Sequence, residues 1–303
     1  MNTNDALEAA IQQMRASGVD EATIEIYRQQ MAMAQQMASN PMLSALTQQA
    51  AAFAQQMQNT DFQSDFVNSL LGEEDVEMKP ETTLTPAQQW AVACGADLAF
   101  LNGYPLNTLE EDMDKRTMKK QLSEWWGVKN KEDLLGMLDY LEEGGQRNIF
   151  ALIDKAVRKG SEEAAEEFLA GKIQDEEQLE VAVERLNNML EAYEQFKEDG
   201  LWTESTTPNF IAWDMVRLIN LCRNGFDAGY LSEEEALTII VDVAQQLQKE
   251  FKSWRDLSVA YQFGRYVWGG DDQYEDLKDG METLLSNKKS PWVNLDWNMN
   301  LGS

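Results

Sequence analysis

Residues 175–198, DEEQLEVAVERLNNMLEAYEQFKE, carry the clearest helical period in the sequence. Their apolar residues recur at steps of three and four, which places them on one stripe of an α-helix with carboxylates on the opposite face. Asp175 is a favoured N-cap residue, and Asp199-Gly200 is a favoured helix end. The stretch therefore predicts one long amphipathic helix with a buried stripe of Leu179, Val183, Leu186, Leu190 and Tyr193.

The same start signals occur elsewhere in the chain. Thr85 followed by Pro86 and Gln88 predicts a capping box, and Ser232 followed by Glu235 predicts a second one. Further helices are expected at about 209–224, 232–251, 254–268 and 273–286. Because the alternating pattern of strands is not convincing anywhere, the predicted fold class is all-α: an irregular multi-helix domain preceded by a small N-terminal helical module.

Composition divides the chain near residue 72. Residues 1–72 are rich in Gln and Met and predict the small helical module, whereas residues 73–83 are acidic and unpatterned, which indicates a linker. Residues 84–303 are expected to form the main all-α domain. Met-rich helices adapt to many apolar surfaces, so residues 1–72 are expected either to self-associate or bind a partner helix, or to pack on the main domain.

The net charge of the chain limits its partners. The 303 residues include 53 acidic and 25 basic ones, a formal net charge of −28. Such a surface repels phosphate backbones and anionic lipids, which argues against nucleic-acid and membrane partners. No apolar run approaches the roughly 20 residues that cross a bilayer. Since the N-terminus also lacks the basic region of a secretory signal, a cytoplasmic location is expected.

The residue types narrow the chemistry further. The chain has no His, so it lacks the commonest general base and the usual zinc and haem ligands. Cys94 and Cys222 lie in apolar stretches without an activating His, and both are expected to be core residues. Paired glutamates at helical spacing suit Mg²⁺, but most lie opposite the apolar stripes. We therefore predict no metal and no cofactor, with a solvated surface at Glu163/Glu166, Glu177/Glu180 and Glu191/Glu194.

The predicted helix 254–268 sets an arginine among aromatic residues. Trp254, Tyr261, Arg265 and Trp268 fall near one face of it. A buried guanidinium needs a carboxylate or several carbonyl groups, because an unpaired buried charge costs several kcal/mol. Arg265 is therefore expected to have a partner from another helix.

The predicted partner is Asp214, in the sequence Trp213-Asp214-x-x-Arg217, with Arg217 extending the network. One interpretation is a core ion pair between tryptophans, and the other is a pocket for an anion or a peptide built on Arg217 and Arg265. Both interpretations stay open on the sequence alone.

Two further segments are secondary candidates. Trp125-Trp126-Gly127 has the pattern of a helix end and a turn, and Gln146-Arg147 follows two glycines at another predicted helix stop. Packing is the simpler role for both segments.

Seven motifs follow one another along the chain: Leu84-Thr85-Pro86-Ala87-Gln88-x-Trp90-Ala91, Asn102-Gly103, Trp125-Trp126-Gly127, Asp133-Leu134, Gly145-Gln146-Arg147, Trp213-Asp214-x-x-Arg217 and Gly264-Arg265-x-x-Trp268. In this order they resemble the bacterial YbeU/YbeR-like family, domain of unknown function 1266, over about residues 84–268. That family often has Gly-His-Arg where this chain has Gly145-Gln146-Arg147, so any role of that histidine is missing here. The resemblance implies no activity. Family members often lie beside chaperone-type genes or in accessory regions, which implies interaction with other proteins.

The sequence thus favours a non-enzymatic protein-binding function. An acidic helical protein is suited to capture a basic partner, such as a toxin or a secreted effector, in an immunity or adaptor/chaperone role. One alternative is a carboxylate- and Mg²⁺-dependent hydrolase acting on a nucleotide. The other, which rests on the family resemblance alone, is an accessory to an Hsp70-type chaperone.

Overall fold

The computed structural model describes residues 76–203 and 206–302, which form twelve α-helices and no strand. The predicted all-α class is therefore confirmed. The predicted N-terminal module, residues 1–72, and the first part of the predicted linker, residues 73–75, lie outside the described residues. The helices are α1 (Pro86–Ala93), α2 (Ala96–Leu101), α3 (Lys115–Trp126), α4 (Lys131–Glu143), α5 (Arg147–Val157), α6 (Glu162–Ala170), α7 (Glu176–Glu198), α8 (Ile211–Asp227), α9 (Glu233–Glu250), α10 (Trp254–Gly269), α11 (Tyr274–Ser286) and α12 (Pro291–Asn294).

Side-chain caps begin three helices where the sequence predicts them. At α1, Thr85 Oγ1 accepts the N–H of Gln88 at 3.3 Å, and the Gln88 side chain accepts the N–H of Thr85 at 2.9 Å. Ser232 and Glu235 exchange the same pair of bonds at the start of α9. Asp175 accepts an N–H at the start of α7. These bonds satisfy donors that a helix leaves free at its first turn, which is why local sequence predicts the starts well.

The buried face of α7 differs in part from the predicted stripe. Its fully buried residues are Ala182, Leu186, Met189, Ala192 and Phe196. Of the predicted stripe, only Leu186 belongs to this set, whereas Leu179, Val183, Leu190 and Tyr193 are half-buried. The difference arises because α7 packs against both α5 and α10, so its contact face is turned from the purely aliphatic stripe. Tyr193 lies at the edge of that face, where its hydroxyl donates to Asp154 of α5 at 2.6 Å.

Helix α8 is the centre of the described domain. Every residue from Ala212 to Gly225 is buried except Arg217. The helix packs against α4, α9 and α10 and also contacts α2, α3 and α5. A helix covered on all sides has no solvent face for its polar side chains. Each polar residue of α8 therefore needs partners inside the protein.

A cluster of four tryptophans joins the C-terminal residues to α1 and α10. Neighbouring rings among Trp90, Trp254, Trp292 and Trp297 have centroids 4.7 to 5.8 Å apart. Each indole N–H donates to a backbone carbonyl, at 2.8 to 3.2 Å. Because every polar atom of these rings has a partner, the cluster is a fully satisfied part of the core.

Residues 76–83, which the sequence analysis assigns to the linker, lie against the helical domain. Val76 is buried, and the carbonyl of Glu77 accepts the N–H of Leu106 at 3.0 Å. Lys79 and Asn107 exchange two hydrogen bonds, of 2.8 and 2.9 Å. This part of the segment therefore belongs to the folded unit that begins at Val76. The acidic composition of the segment does not indicate that Val76 and the half-buried Met78 pack against the core.

Among the described helices, none combines the length and the apolar character that a bilayer crossing requires.

A glycine allows α8 and α10 to approach closely. A Cβ atom on Gly264 would lie 2.6 Å from Cβ of Trp213 on α8. In contrast, a Cβ atom on Gly136, which is exposed within α4, would meet no atom within 4 Å. The two glycines therefore differ in packing while both lie inside helices.

We expect Gly264→Ala and Gly136→Ala to change stability in opposite directions. The first forces α8 and α10 apart and should lower the free energy of unfolding by about 1–3 kcal/mol. The second replaces an exposed helical glycine and should raise it by up to about 1 kcal/mol. Urea unfolding followed by far-UV circular dichroism measures both changes. A neutral or stabilising Gly264→Ala would contradict the close packing of α8 and α10.

Candidate functional site

A fully buried carboxylate, Asp214 on α8, lies at the polar centre of the domain. Its Oδ1 accepts the N–H of Gln146 and its Oδ2 accepts the N–H of Arg147, both at 3.1 Å. These are the first free donors of α5, where the helix dipole favours a negative charge. The Arg147 side chain adds a bond from Nη1 to Oδ2 at 3.2 Å. Burial raises the pKa of Asp214, and the two backbone bonds, Arg217 and Arg147 offset part of this rise.

Arg147 also joins α4 to this carboxylate. Its Nη1 donates to the Leu141 carbonyl at 2.5 Å, and its Nη2 donates to the Glu142 carbonyl. Both carbonyls belong to the last turn of α4, where helix bonding leaves acceptors free. One side chain therefore connects the end of α4, the start of α5 and the middle of α8.

The turn between α4 and α5 requires glycine at position 145. Gly145 has φ = +40°, and a Cβ atom there would lie 2.5 to 2.6 Å from the carboxylate atoms of Asp214. The absence of a side chain thus permits both the backbone conformation and the approach of the carboxylate. We call Asp214, Gly145, Gln146, Arg147 and Arg217 the Asp214 network.

The predicted ion pair between Asp214 and Arg265 is wrong. Arg265 lies near Asp272, with Nη2 3.7 Å from Oδ2, and donates to Gln273 at 2.9 Å. Trp213 faces α10 at Gly264, and the next residue of a helix points about 100° away, which aims Asp214 at the α4–α5 turn instead. The predicted extension by Arg217 is present, at 3.6 Å between Nη1 and Asp214 Oδ1.

Three of the predicted aromatic residues, Trp126, Trp213 and Trp268, contact the guanidinium groups of Arg217 or Arg265. The Arg217 guanidinium lies 4.9 Å from the Trp126 ring and 4.5 Å from the Trp213 ring. Trp213 in turn lies 5.9 Å from Trp268, which carries the Arg265 guanidinium at 5.1 Å. Cations over aromatic faces contribute about 0.5–2 kcal/mol each.

The other predicted site residues, Tyr261, Trp254 and Trp125, each lie in a different environment. Tyr261 is buried and stacks on Trp213 with ring centroids 5.6 Å apart. Trp254 belongs to the four-tryptophan cluster and does not share the surroundings of Arg265. Trp125 is 69% exposed, so only the second tryptophan of its pair covers the network.

The sequence analysis does not identify Arg185, which lies beside the Asp214 network in addition to Arg147 and Arg217. Arg185 of α7 donates from Nη1 to Gln146 Oε1 at 2.7 Å, and Gln146 Nε2 donates to the Tyr140 hydroxyl at 3.4 Å. Burial lowers the pKa of Arg185 and of Arg217, and for Arg217 the nearby Arg185 charge lowers it further. An arginine in the middle of an amphipathic, mostly acidic helix has no sequence signal that separates it from a surface cation.

Sequence reasoning also misses two buried carboxylic acids. Glu111 accepts a bond from Asn224 and lies 3.8 Å from the fully buried Arg223, which donates to the carbonyls of residues 105, 109 and 110. Burial raises the pKa of Glu111 to about 7, against the opposing effect of Arg223. Both polar residues of this pair anchor the segment between α2 and α3 to α8.

The second of these acids is Asp97 on α2. Ser258 of α10 donates to its Oδ1 at 2.6 Å, and Gln262 donates to Ser258 at 3.0 Å. Oδ2 of Asp97 and Oε1 of Gln262 are buried acceptors without a hydrogen bond within the described residues. Burial raises the pKa of Asp97 to about 7. The protonated form of Asp97 carries an O–H donor that the carboxylate lacks, and burial favours this form.

The two cysteines lie where an apolar environment predicts them. Cys94 and Cys222 are buried and free, and burial raises the pKa of each thiol. This environment suits core packing, since reactive thiols need a lowered pKa.

Carboxylates gather on the exposed faces of α6 and α7. Residues 162–199 include thirteen acidic residues, all exposed, and three basic ones. We call this the α6–α7 acidic surface. It includes the paired glutamates that the sequence singles out, and within the described parts of the chain no three His, Cys, Asp or Glu side chains form a group that could hold a metal ion.

The fold and the site define an all-α protein built around a central buried helix whose carboxylate is held by a glycine turn and two arginines. The chain belongs to the family described as "Protein of unknown function (DUF1266)", whose model matches residues 121–297. All five residues of the Asp214 network fall in this range.

One curated relative is the "Uncharacterized protein YbeR" of Escherichia coli (strain K12). The two are 28% identical over 148 residues, which is 48% of this chain and 56% of the relative, so this chain spans about half of that protein's length. No solved structure matches the chain.

We expect Gly145→Ala to be strongly destabilising, by about 3 kcal/mol or more, because it adds strain at positive φ and drives an atom into the Asp214 carboxylate. Gly127→Ala is the matched control. Gly127 also has a positive φ, of +69°, but a Cβ there would meet no atom within 4 Å, so it should cost only about 1–2 kcal/mol. Urea unfolding of both variants separates the two contributions, and equal losses would contradict the role of the carboxylate.

We expect Asp97 to make the protein less stable as pH rises from about 4 to 7. Its pKa is raised on folding to about 7, so the native state holds a proton that the unfolded state has released, and stability falls with pH over this interval. Asp97→Asn lacks this titration and retains a side chain that can still accept the bond from Ser258.

The measurement is urea unfolding of the wild type and of Asp97→Asn at pH 5 and pH 8. Relative to the wild type, the variant should gain roughly 2–3 kcal/mol on going to pH 8. A difference between the two proteins that does not change with pH would exclude the protonated acid.

Proposed function

We propose that this protein is a non-enzymatic binding protein that captures a basic protein partner. The observation that carries the proposal is the α6–α7 acidic surface, where thirteen exposed carboxylates accompany three basic residues. Complementary charge raises association rates and disfavours wrong partners.

The helices beneath this surface support its role as a docking platform. Helix α6 buries Ala165 and Leu169, and α7 buries the five residues of its inner face. The helices also pack on each other and on α5, so the carboxylates are presented from a fixed scaffold. A charged surface on packed helices needs little reordering when it binds, which reduces the entropic cost of association.

The partner class follows from the sign and density of this charge. A basic toxin or secreted effector fits it, in an immunity or an adaptor/chaperone role in the cytoplasm, and a nucleic acid does not. The paired glutamates, which a Mg²⁺-dependent hydrolase would direct inward, are exposed on α6 and α7. No contact within the described residues favours the Hsp70-accessory role.

The test measures binding to the basic proteins encoded beside this gene, by surface plasmon resonance at 50 and 300 mM salt. We expect association to slow by roughly tenfold or more at the higher salt, since screening shortens the range of the attraction. Glu166→Lys/Glu180→Lys should lower the association rate at low salt by roughly tenfold.

Asp242→Lys/Asp279→Lys is the matched control, because it changes the net charge equally at exposed positions on α9 and α11. It should have a clearly smaller effect. Equal effects of the two double variants, or the failure of every neighbouring basic protein to bind at 50 mM salt, would overturn the proposal.

A further inference from the structure

Three arginines converge near a single buried carboxylate. Arg147 and Arg217 both lie within 4 Å of Asp214, and Arg185 is joined to the same turn through Gln146. The chain has 53 acidic and 25 basic residues, so this local cluster of positive charge is opposite in sign to the net charge of the protein. The charge of Arg185 lowers the pKa of Arg217, which reflects repulsion between the two cations that a bound anion would relieve.

Asp214 supplies only part of that compensation. Its two oxygens already accept the N–H groups of Gln146 and Arg147 and a side-chain bond from Arg147. Nη1 of Arg217 is buried, lies 3.6 Å from the carboxylate and makes no hydrogen bond within the described residues. A buried guanidinium donor without a hydrogen bond is costly to keep.

Arg185 is compensated even less. Its hydrogen bond to Gln146 goes to a neutral amide oxygen. The carboxylate that acts on its charge is the exposed Glu184, the preceding residue of α7. The nearly buried Arg217 therefore has a counter-charge, Asp214, that is already engaged, and the half-buried Arg185 has only the exposed Glu184.

Aromatic groups border this pair. The Trp126 ring lies on Arg217, and the Tyr140 hydroxyl accepts from Gln146. Tyr140 is 46% exposed, which leaves this side of the cluster open to solvent. The Arg217 side chain is itself 15% exposed and Arg185 is half-buried, so solvent reaches part of each side chain beside these aromatic groups.

We propose that Arg185 and Arg217 bind an oxyanion, the carboxylate or phosphate group of a small ligand. Guanidinium groups bind both groups in a planar, two-pronged geometry, and a second anion would neutralise the excess charge beside Asp214. The site is separate from the α6–α7 acidic surface in its chemistry and does not depend on the proposed basic partner.

The test is thermal unfolding and calorimetric titration of the full chain with inorganic phosphate and, separately, with acetate, at constant ionic strength. We expect saturable binding of at least one of the two and a matching rise in Tm. Arg185→Gln, which removes a half-exposed charge and retains hydrogen-bonding capacity, should weaken binding by about tenfold or more.

Arg255→Gln is the control, because Arg255 is an exposed arginine of α10 that pairs with Glu282 of α11 and takes no part in the Asp214 network. It should bind as the wild type does. Phosphate also stabilises proteins by exclusion from their surface, but that effect does not saturate and is shared by all variants.

Saturation by phosphate alone identifies a phosphate site, and saturation by acetate identifies a carboxylate site. The proposal is overturned if neither anion binds saturably, or if Arg185→Gln binds as tightly as Arg255→Gln. Far-UV circular dichroism verifies that both variants keep the helical fold.

Discussion

A buried negative charge, the Asp214 carboxylate, determines how three helices meet. Helix α8 has no solvent face at this position, so the charge cannot be hydrated and must be met by protein donors. The donors come from the first turn of α5 and from Arg147, whose other bonds hold the last turn of α4. Removing any one partner would leave a charge or a helix end unsatisfied, which makes the α4–α5 turn and α8 one unit.

The consequences extend to α7. Helix α5 packs against α7, and α7 packs against α10. The contact of α5 with Asp214 therefore also helps to fix the positions of these two helices. Arg185 of α7 donates a hydrogen bond to Gln146 of the α4–α5 turn. The acidic surface is thus carried by helices whose inner sides are tied, through α5, to the buried carboxylate.

The sequence predicts the helices well and their side-chain partners poorly. Caps such as Thr85 and Ser232 act within one turn, so local sequence contains all the information about them. The pairing of Asp214 depends on a crossing angle and on a missing Cβ at residue 145, neither of which has a periodic signal. Asp214 and Arg265 lie on the neighbouring helices α8 and α10, yet their side chains point to different partners. The sequence does not reveal the roles of Glu111 and Arg223 either, because their hydrogen bonds connect residues more than 100 positions apart.

The chain has no histidine, so among the described residues proton-linked behaviour near neutral pH is expected from buried acids. Burial raises the pKa of both Asp97 and Glu111 to about 7. The two acids are placed differently: Asp97 has hydroxyl and amide neighbours, whereas Glu111 faces Arg223 and Asp227. Arg223 offsets part of the effect of burial at Glu111, whereas hydroxyl and amide hydrogen bonds, and no cation among the described residues, offset it at Asp97. The response of this fold to pH is therefore expected at the two contacts that these acids hold, α2 with α10 and α8 with the segment before α3, and not at Arg147, Arg185 and Arg217, whose guanidinium groups keep their charge throughout this range.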